Sequence, residues 1–182
     1  MGRRPVPEPA DGRLRKGKRR RRALLDATLR LVGRGGAAAV TQRAVAAEAG
    51  VPPSAVLYYF DTVDDLLVAA LIAVNDRYVV RLDAVGTVDA LADLVADCAR
   101  QDRLPAIAEY ELFLHAARRD DLRAELHRWD TALAAAAVRL LPQAPDRRPL
   151  LVAAVNGLCL AAALGSPYDT GVLARLVDGV DG

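Results

Sequence analysis

The sequence predicts an all-α fold, on three observations. Apolar residues recur every three or four positions in segment after segment, the spacing that lines one face of a helix. Alanine, the strongest helix former, supplies much of the 53% hydrophobic content, while aromatic residues make up only 4%. No stretch alternates apolar and polar residues as a strand would, and most of the 13 Gly and 10 Pro cluster at a few breaks between helical patterns. About nine helices are expected, three short-range ones forming an N-terminal head and the rest a bundle behind it.

Residues 1–17 combine Pro, Gly and charge without apolar periodicity and read as a flexible basic arm. From Lys18 to Val32, the residues Leu24, Leu25, Thr28, Leu31 and Val32 share one helical face, and the run Gly33-Arg34-Gly35-Gly36 stops that helix. Thr41 can cap a short second helix through Ala49, closed by Gly50. Pro52 and Pro53 fit only the first turn of a helix, which places a third helix at about Pro53–Tyr59. Thr62 can cap the fourth, with Asp64 and Asp65 in its first turn and Leu67, Leu71, Val74, Tyr78 and Leu82 along one face of 63–84.

Four further periodic segments follow, at 87–101, at 105–119, at about 122–140 before Pro142, and at 148–164, with a last helix at about 169–180. The 148–164 segment is apolar nearly all round, so it needs cover on more than one side. Its apolar stretch Leu150–Leu164, interrupted by Asn156 and Gly157, is too short and too polar for a membrane span, and it reads as a core helix. The basic N-terminus lacks the apolar stretch of a secretory signal. Cys98 and Cys159 lie far apart in helical patterns and read as buried thiols in a reducing cytoplasm, not as a disulfide or metal site.

The formal net charge of +2 hides an asymmetry. Residues 1–22 hold ten Lys or Arg against Glu8 and Asp11, a local balance of +8 that leaves −6 for the remaining chain. A basic head on a mildly acidic body is the layout of a chain with a polyanionic partner.

The second and third helices carry the most specific pattern. A helix-turn-helix needs a small residue where the helices cross, a Gly in the turn and apolar residues that fix the angle. Ala46 is the small crossing residue, Gly50 the turn glycine, and Val45, Ala49, Val51 and Val56 the apolar contacts. The segment RRALLDATLRLVGRGGAAAVTQRAVAAEAGVPPSAVLYYFDTVDDLL, with its Tyr59-Phe60 ending and acidic-apolar start to the fourth helix, resembles the N-terminal domain of TetR-family transcriptional regulators. The resemblance is specific over about residues 20–67. Beyond that it is loose, carried by helix number and by EYELFLHAARRDDLR and AAVNGLCLAAAL.

The resemblance implies three parts: a basic arm at 1–17, a helix-turn-helix DNA-binding domain at 18–63, and a regulatory ligand-binding and dimerisation domain at 64–182. It implies a cytoplasmic homodimer that binds a palindromic double-stranded operator, a repressor released by a small apolar effector, with no cofactor and no catalytic or metal site. The sequence departs from the family where Pro52 replaces a capping Ser, Ser54 a Gly, Leu57 a Tyr, Tyr58 a His and Val63 a Lys. Two habitual phosphate contacts, the tyrosine and the lysine, are thereby absent.

The recognition segment holds no charge. Base choice is expected from the hydroxyls of Ser54 and Tyr58, from Ala55 or Leu57 against thymine methyls, and from the flanking Pro53 and Tyr59. Thr41, Gln42 and Arg43 are candidates for phosphate or flanking-base contacts, and Arg19, Arg20 and the rest of the arm for the backbone or minor groove. Packing under the head is the alternative role for Tyr58 and Tyr59.

In the body, Asn75, Tyr78, Tyr110, His115 and Trp129 are candidates for a mostly apolar effector site with a few polar anchors. Ala153, Ala154, Gly157, Leu158 and Ala161, with Leu173 and Leu176 from the last helix, are candidates for a four-helix dimer interface. Two other classes stay in view: a DNA-binding or membrane-binding helical protein without an effector, and a helical-bundle enzyme. The enzyme fits poorly, because Glu111 stands four residues before His115 and Glu125 two before His127, neither being the Glu-x-x-His of a carboxylate-bridged metal bundle.

Overall fold

The computed structural model describes residues 9–100 and 104–179. Among them are nine α-helices and three single 3-10 turns. Helix α1 (Pro9–Gly35) is 27 residues long and starts nine positions before Lys18. Residues 9–17, expected to be a flexible arm, are therefore helical. Pro9 suits a first helical position and the Arg, Lys and Leu that follow favour helix, so the chain continues back from the periodic segment. Residues 1–8 of that arm lie outside the described residues.

Gly33 does not end α1. A Cβ at this position would stand 2.4 Å from the backbone oxygen of Leu104, so the glycine is what allows α6 to cross α1. Gly36, at φ 70°, makes the turn instead. Helices α2 (Gln42–Ala49) and α3 (Pro53–Tyr59) have the bounds that their caps predict. The Thr41 hydroxyl accepts the Ala44 N–H at 3.0 Å, and Gly50 adopts the left-handed conformation (φ 65°, ψ 38°) that sends the chain into the turn. Val45, Ala46 and Val56 are buried between the two helices and α1.

Helix α4 (Val63–Asp83) opens with a complete capping box: Thr62 Oγ1 accepts the Asp65 N–H, and the Asp65 carboxylate accepts the Thr62 N–H, both at 3.0 Å. Helices α5 (Val88–Arg100), α6 (Leu104–Ala116), α7 (Arg123–Leu140), α8 (Arg148–Leu164) and α9 (Gly171–Asp178) complete the body. The Cys98 side chain falls outside the described residues, and Cys159 is buried.

Two hydrophobic cores result. The first joins α1, α2, α3 and the start of α4 to Ala108, Leu112 and Ala116 of α6. The second joins the end of α4 to α5, α7, α8 and α9. Tyr78 packs against both, at the seam. The sequence reading of α8 as too short for a bilayer needs correction, because the helical run from Pro145 to Leu164 is 20 residues and apolar enough to cross one by length and composition. Its place in the fold is against α5, α7 and α9.

Candidate nucleic-acid interface and cavity

The recognition surface is neutral and open. Tyr58 is 80% exposed and Leu57 50%, and Pro53 and Ser54 are exposed beside them. Ala55 is half-buried. Tyr59 is half-buried against the first core, so it packs under the head while its ring meets that of Tyr58 edge-on at 4.9 Å. That geometry braces Tyr58 outward. Helix α1 flanks this surface: Gly17 lies beside the Tyr59 hydroxyl, and the Arg21 guanidinium sits over the Phe60 ring at 5.2 Å. Arg19 and Arg20 are exposed on the same stretch of α1.

Of the three residues singled out at the start of α2, only Arg43 is an exposed side chain with no described role in holding the head. The Thr41 hydroxyl caps α2. Gln42 is half-buried and its amide donates to the Asp61 carbonyl at 3.1 Å, tying α2 to the turn before α4. Glu48 on the far side of α2 accepts from Arg30 and Arg34 of α1, and these hydrogen bonds hold its carboxyl below the usual range. The head is thus fixed to α1 by charge as well as by packing.

At the other end of the head, Asp64 in the first turn of α4 accepts from Arg119, just past α6, and lies 3.4 Å from His115 Nε2. The Arg119 hydrogen bond, with His115 adding to it, keeps the Asp64 carboxyl below its ordinary value. His115, expected in the effector site, is therefore at the joint between head and body. Its face of the α6 helix decides this: Leu112 and Ala116 turn inward, while His115 between them points at the first turn of α4.

Asn75 is also displaced from the expected set. It is fully buried, and its amide donates to the Glu125 carbonyl and carboxylate, each at 2.9 Å, which pins α4 to α7. Its Oδ1 is buried without a hydrogen-bond partner among the described residues.

The structure brings Tyr78, Tyr110 and Trp129 together around a cavity of about 550 Å³ between α4, α6, α7 and α8. Phe113, Leu126 and Leu160 add apolar wall. Tyr78 and Trp129 meet edge-on at 5.2 Å, and Trp129 Nε1 donates to Asn156 Oδ1 at 2.7 Å, which fixes the indole. The residue that sequence reasoning missed is Glu109. Burial pushes its carboxyl up to about 7 against the opposing pull of the Tyr78 hydroxyl and of Arg77 and Arg81. One signal was available: Glu109 shares a helical face with Ala106 and Phe113, three residues before and four after it, and both line the cavity.

Comparison with known proteins matches both parts of this chain. Residues 24–70 match "Bacterial regulatory proteins, tetR family", and residues 82–181 match "Tetracyclin repressor-like, C-terminal domain". A solved TetR-family structure from Streptomyces coelicolor is 35% identical, with a TM-score of 0.72, over 87% of this chain and 98% of that one. The chain belongs to the TetR family.

A second solved structure, the multidrug binding protein EbrR complexed with ethidium, is 36% identical with a TM-score of 0.66, over 87% of this chain and 98% of that one. The HTH-type transcriptional regulator BetI of Rhizobium meliloti (strain 1021) is 40% identical over 73 residues, 40% of this chain. The match spans about a third of that relative's length, 35%. As a TetR-family member the protein is a transcription factor with a helix-turn-helix DNA-binding domain, not an enzyme.

In this family frame the α8 surface divides sharply. Leu151, Val155, Cys159 and Ala162 are buried against the body. Leu150, Ala153, Gly157, Leu160 and Leu164 are exposed, spaced three and four residues apart along one seam. Of the residues expected at a dimer interface, Ala153 and Gly157 lie on that seam, while Ala154, Leu158 and Ala161 of α8 are half-buried beside it and Leu176 of α9 is half-buried against the second core. Leu173 does not belong with them. It is fully buried in its own subunit, because α9 turns its apolar face onto α5 and α8.

Proposed function

We propose that this TetR-family regulator is a cytoplasmic repressor that binds a palindromic operator as a homodimer and is released when a small, largely apolar effector fills the cavity beside Tyr78, Tyr110 and Trp129. The observation that carries this reading is the continuity of α4. One helix meets the head at its capped N-terminus, through Thr62 and the Gln42–Asp61 bond in the turn before it, and lines the cavity with Tyr78 sixteen residues later than Thr62. A ligand that moves Tyr78 moves the helix on which the head is mounted, which is how two sites come to share a free energy.

Sequence choice is assigned to Tyr58, Ser54 and Leu57, and sequence-independent phosphate affinity to Arg43 and the basic stretch of α1, each phosphate contact adding roughly 0.9 to the salt slope. The exposed α8 seam supports a dimer, since five apolar or small residues in a row at helix–helix spacing suit a second copy of the same helix. Such a two-fold would place two heads on two half-sites.

The test is binding of the full-length protein to DNA from upstream of its own gene, followed by anisotropy at low salt. Wild type is expected to bind, and Tyr58→Ala and Arg43→Ala to bind more weakly. Failure of wild type to hold any such fragment, with both variants indistinguishable from it, would refute the operator reading.

A further inference from the structure

We propose that the cavity selects lipophilic cations, with Glu109 as the counter-charge and the Tyr78–Trp129 pair as the aromatic wall. This rests on the reading that the cavity is the effector site. Three features of the geometry carry it. Glu109 is the carboxylate drawn into the apolar wall, its side chain only 13% exposed, where an added positive charge would find little competing water. Its one described ion pair, with Arg77, is long at 3.8 Å, and the Arg77 side chain is about half exposed, so the pair neutralises the carboxylate only weakly. Trp129, its indole fixed by Asn156 and set edge-on to Tyr78, gives the same cavity an aromatic wall, the kind of surface that attracts cations.

The other charged and titratable groups around Glu109 do not supply this counter-charge. From α4, the Tyr78 hydroxyl donates to it, and Arg81 sits 6.0 Å from the centre of the Tyr78 ring and pairs with Asp97. From the remaining walls come Tyr110, Asp130 of α7 and Cys159 of α8, none of them cationic. Burial outweighs Tyr78, Arg77 and Arg81 together and holds the carboxyl up to about 7, which is the behaviour of a site short of positive charge. A neutral ligand gains nothing from ionised Glu109. A cation gains an ion pair in a drier medium than water.

The test uses quenching of Trp129, the single tryptophan of the chain, in the full-length protein. The probes are ethidium, which is permanently charged, and 6-phenylphenanthridine, its neutral ring analogue at pH 8. Ethidium is expected to bind wild type, and Glu109→Gln to weaken it roughly thirtyfold, the lower end of the cost of removing one partner of a desolvated charge pair. The neutral analogue is expected to bind both proteins alike. Ethidium affinity of wild type is expected to rise between pH 6 and pH 8 and to stay flat in the variant. Equal ethidium binding by wild type and Glu109→Gln overturns the role of Glu109 while leaving the cavity as the effector site. Absence of quenching by either compound, in either protein, overturns the cavity reading as well. Should Glu109→Gln fold poorly, the wild-type pH profile of ethidium decides alone, and a flat profile overturns the proposal.

Discussion

The two halves of the molecule share a Leu, Val and Ala core and differ in what they do with polar and aromatic side chains. In the head, Leu24, Val32, Val45, Val56 and Leu66 are fully buried, and the buried polar residue, Thr28, donates its hydroxyl to the Leu24 carbonyl of its own helix at 2.9 Å. Nothing there asks for a partner. In the body, the wall between α4, α6, α7 and α8 holds two tyrosines, a tryptophan and a carboxyl pushed up to about 7, around about 550 Å³ of space. The first core is built to hold one shape, so that α3 presents Tyr58 and Leu57 in a fixed way. The cavity, walled by residues of both cores, leaves room and unspent electrostatics, which is what a site with an exchangeable occupant needs.

That contrast can be broken most strongly where the halves cross. Gly33→Ala would drive a Cβ into the Leu104 backbone at 2.4 Å, and backbone cannot rotate away as a side chain can. Chemical denaturation is expected to show a loss of about 3 kcal/mol, at the upper end of overpacking costs, with DNA binding falling too because α1 and α6 separate.

The cavity half should answer to pH where the head does not. The folded state holds the Glu109 proton up to about 7, whereas the unfolded chain releases it near 4.5. The folded protein therefore binds more protons in that window, and stability falls as pH rises from about 4.5 through 7, by at most about 3 kcal/mol. Melting experiments across the window are expected to show this fall in wild type and to show it flattened in Glu109→Gln. A stability that rises over the same range would contradict the burial of that carboxyl.

At the recognition surface the expectation reverses, a change in binding without a change in stability. Tyr58 is 80% exposed, so Tyr58→Ala is expected to leave the melting temperature within a degree or two while costing about 1–3 kcal/mol of operator affinity. A drop in melting temperature with unchanged affinity would make Tyr58 a packing residue like Tyr59. The smallest effect is expected at the joint. Thr62→Ala removes the cap from α4 and is expected to cost about 1 kcal/mol, read by denaturation, with a weaker transmission of ligand binding to the head.

The same contrast explains what the sequence disclosed. The second and third helices and the start of the fourth were legible to the residue because local chemistry sets their boundaries: Thr41 and Thr62 cap, Gly50 needs a left-handed turn, and Pro53 can only begin a helix. Helix α1, by contrast, begins nine residues before its expected start. The body was legible as helices but not as a site. Tyr78, Tyr110 and Trp129 come together, yet Asn75 and His115 point to α7 and to Asp64, and no local rule separates these outcomes on an Ala-rich helix. Nothing local in the sequence sets Glu109 apart from the other charges of its helix. Only the packing of α4, α7 and α8 around α6 makes it a buried one. The run Gly33–Gly36 stops α1 as expected, but the further role of Gly33, to permit the crossing of α6, leaves no mark in the local sequence.

The central claim is that filling the cavity changes the grip of the head on DNA through α4. The direct measurement is the Kd of the full-length protein for an operator fragment, by anisotropy, with and without saturating tetraphenylphosphonium, a lipophilic cation that does not intercalate. The expected result is a DNA Kd raised about tenfold or more, within the ordinary range of coupling between two sites, with Trp129 quenching confirming that the cavity is filled. An unchanged Kd while Trp129 reports a filled cavity would contradict the account.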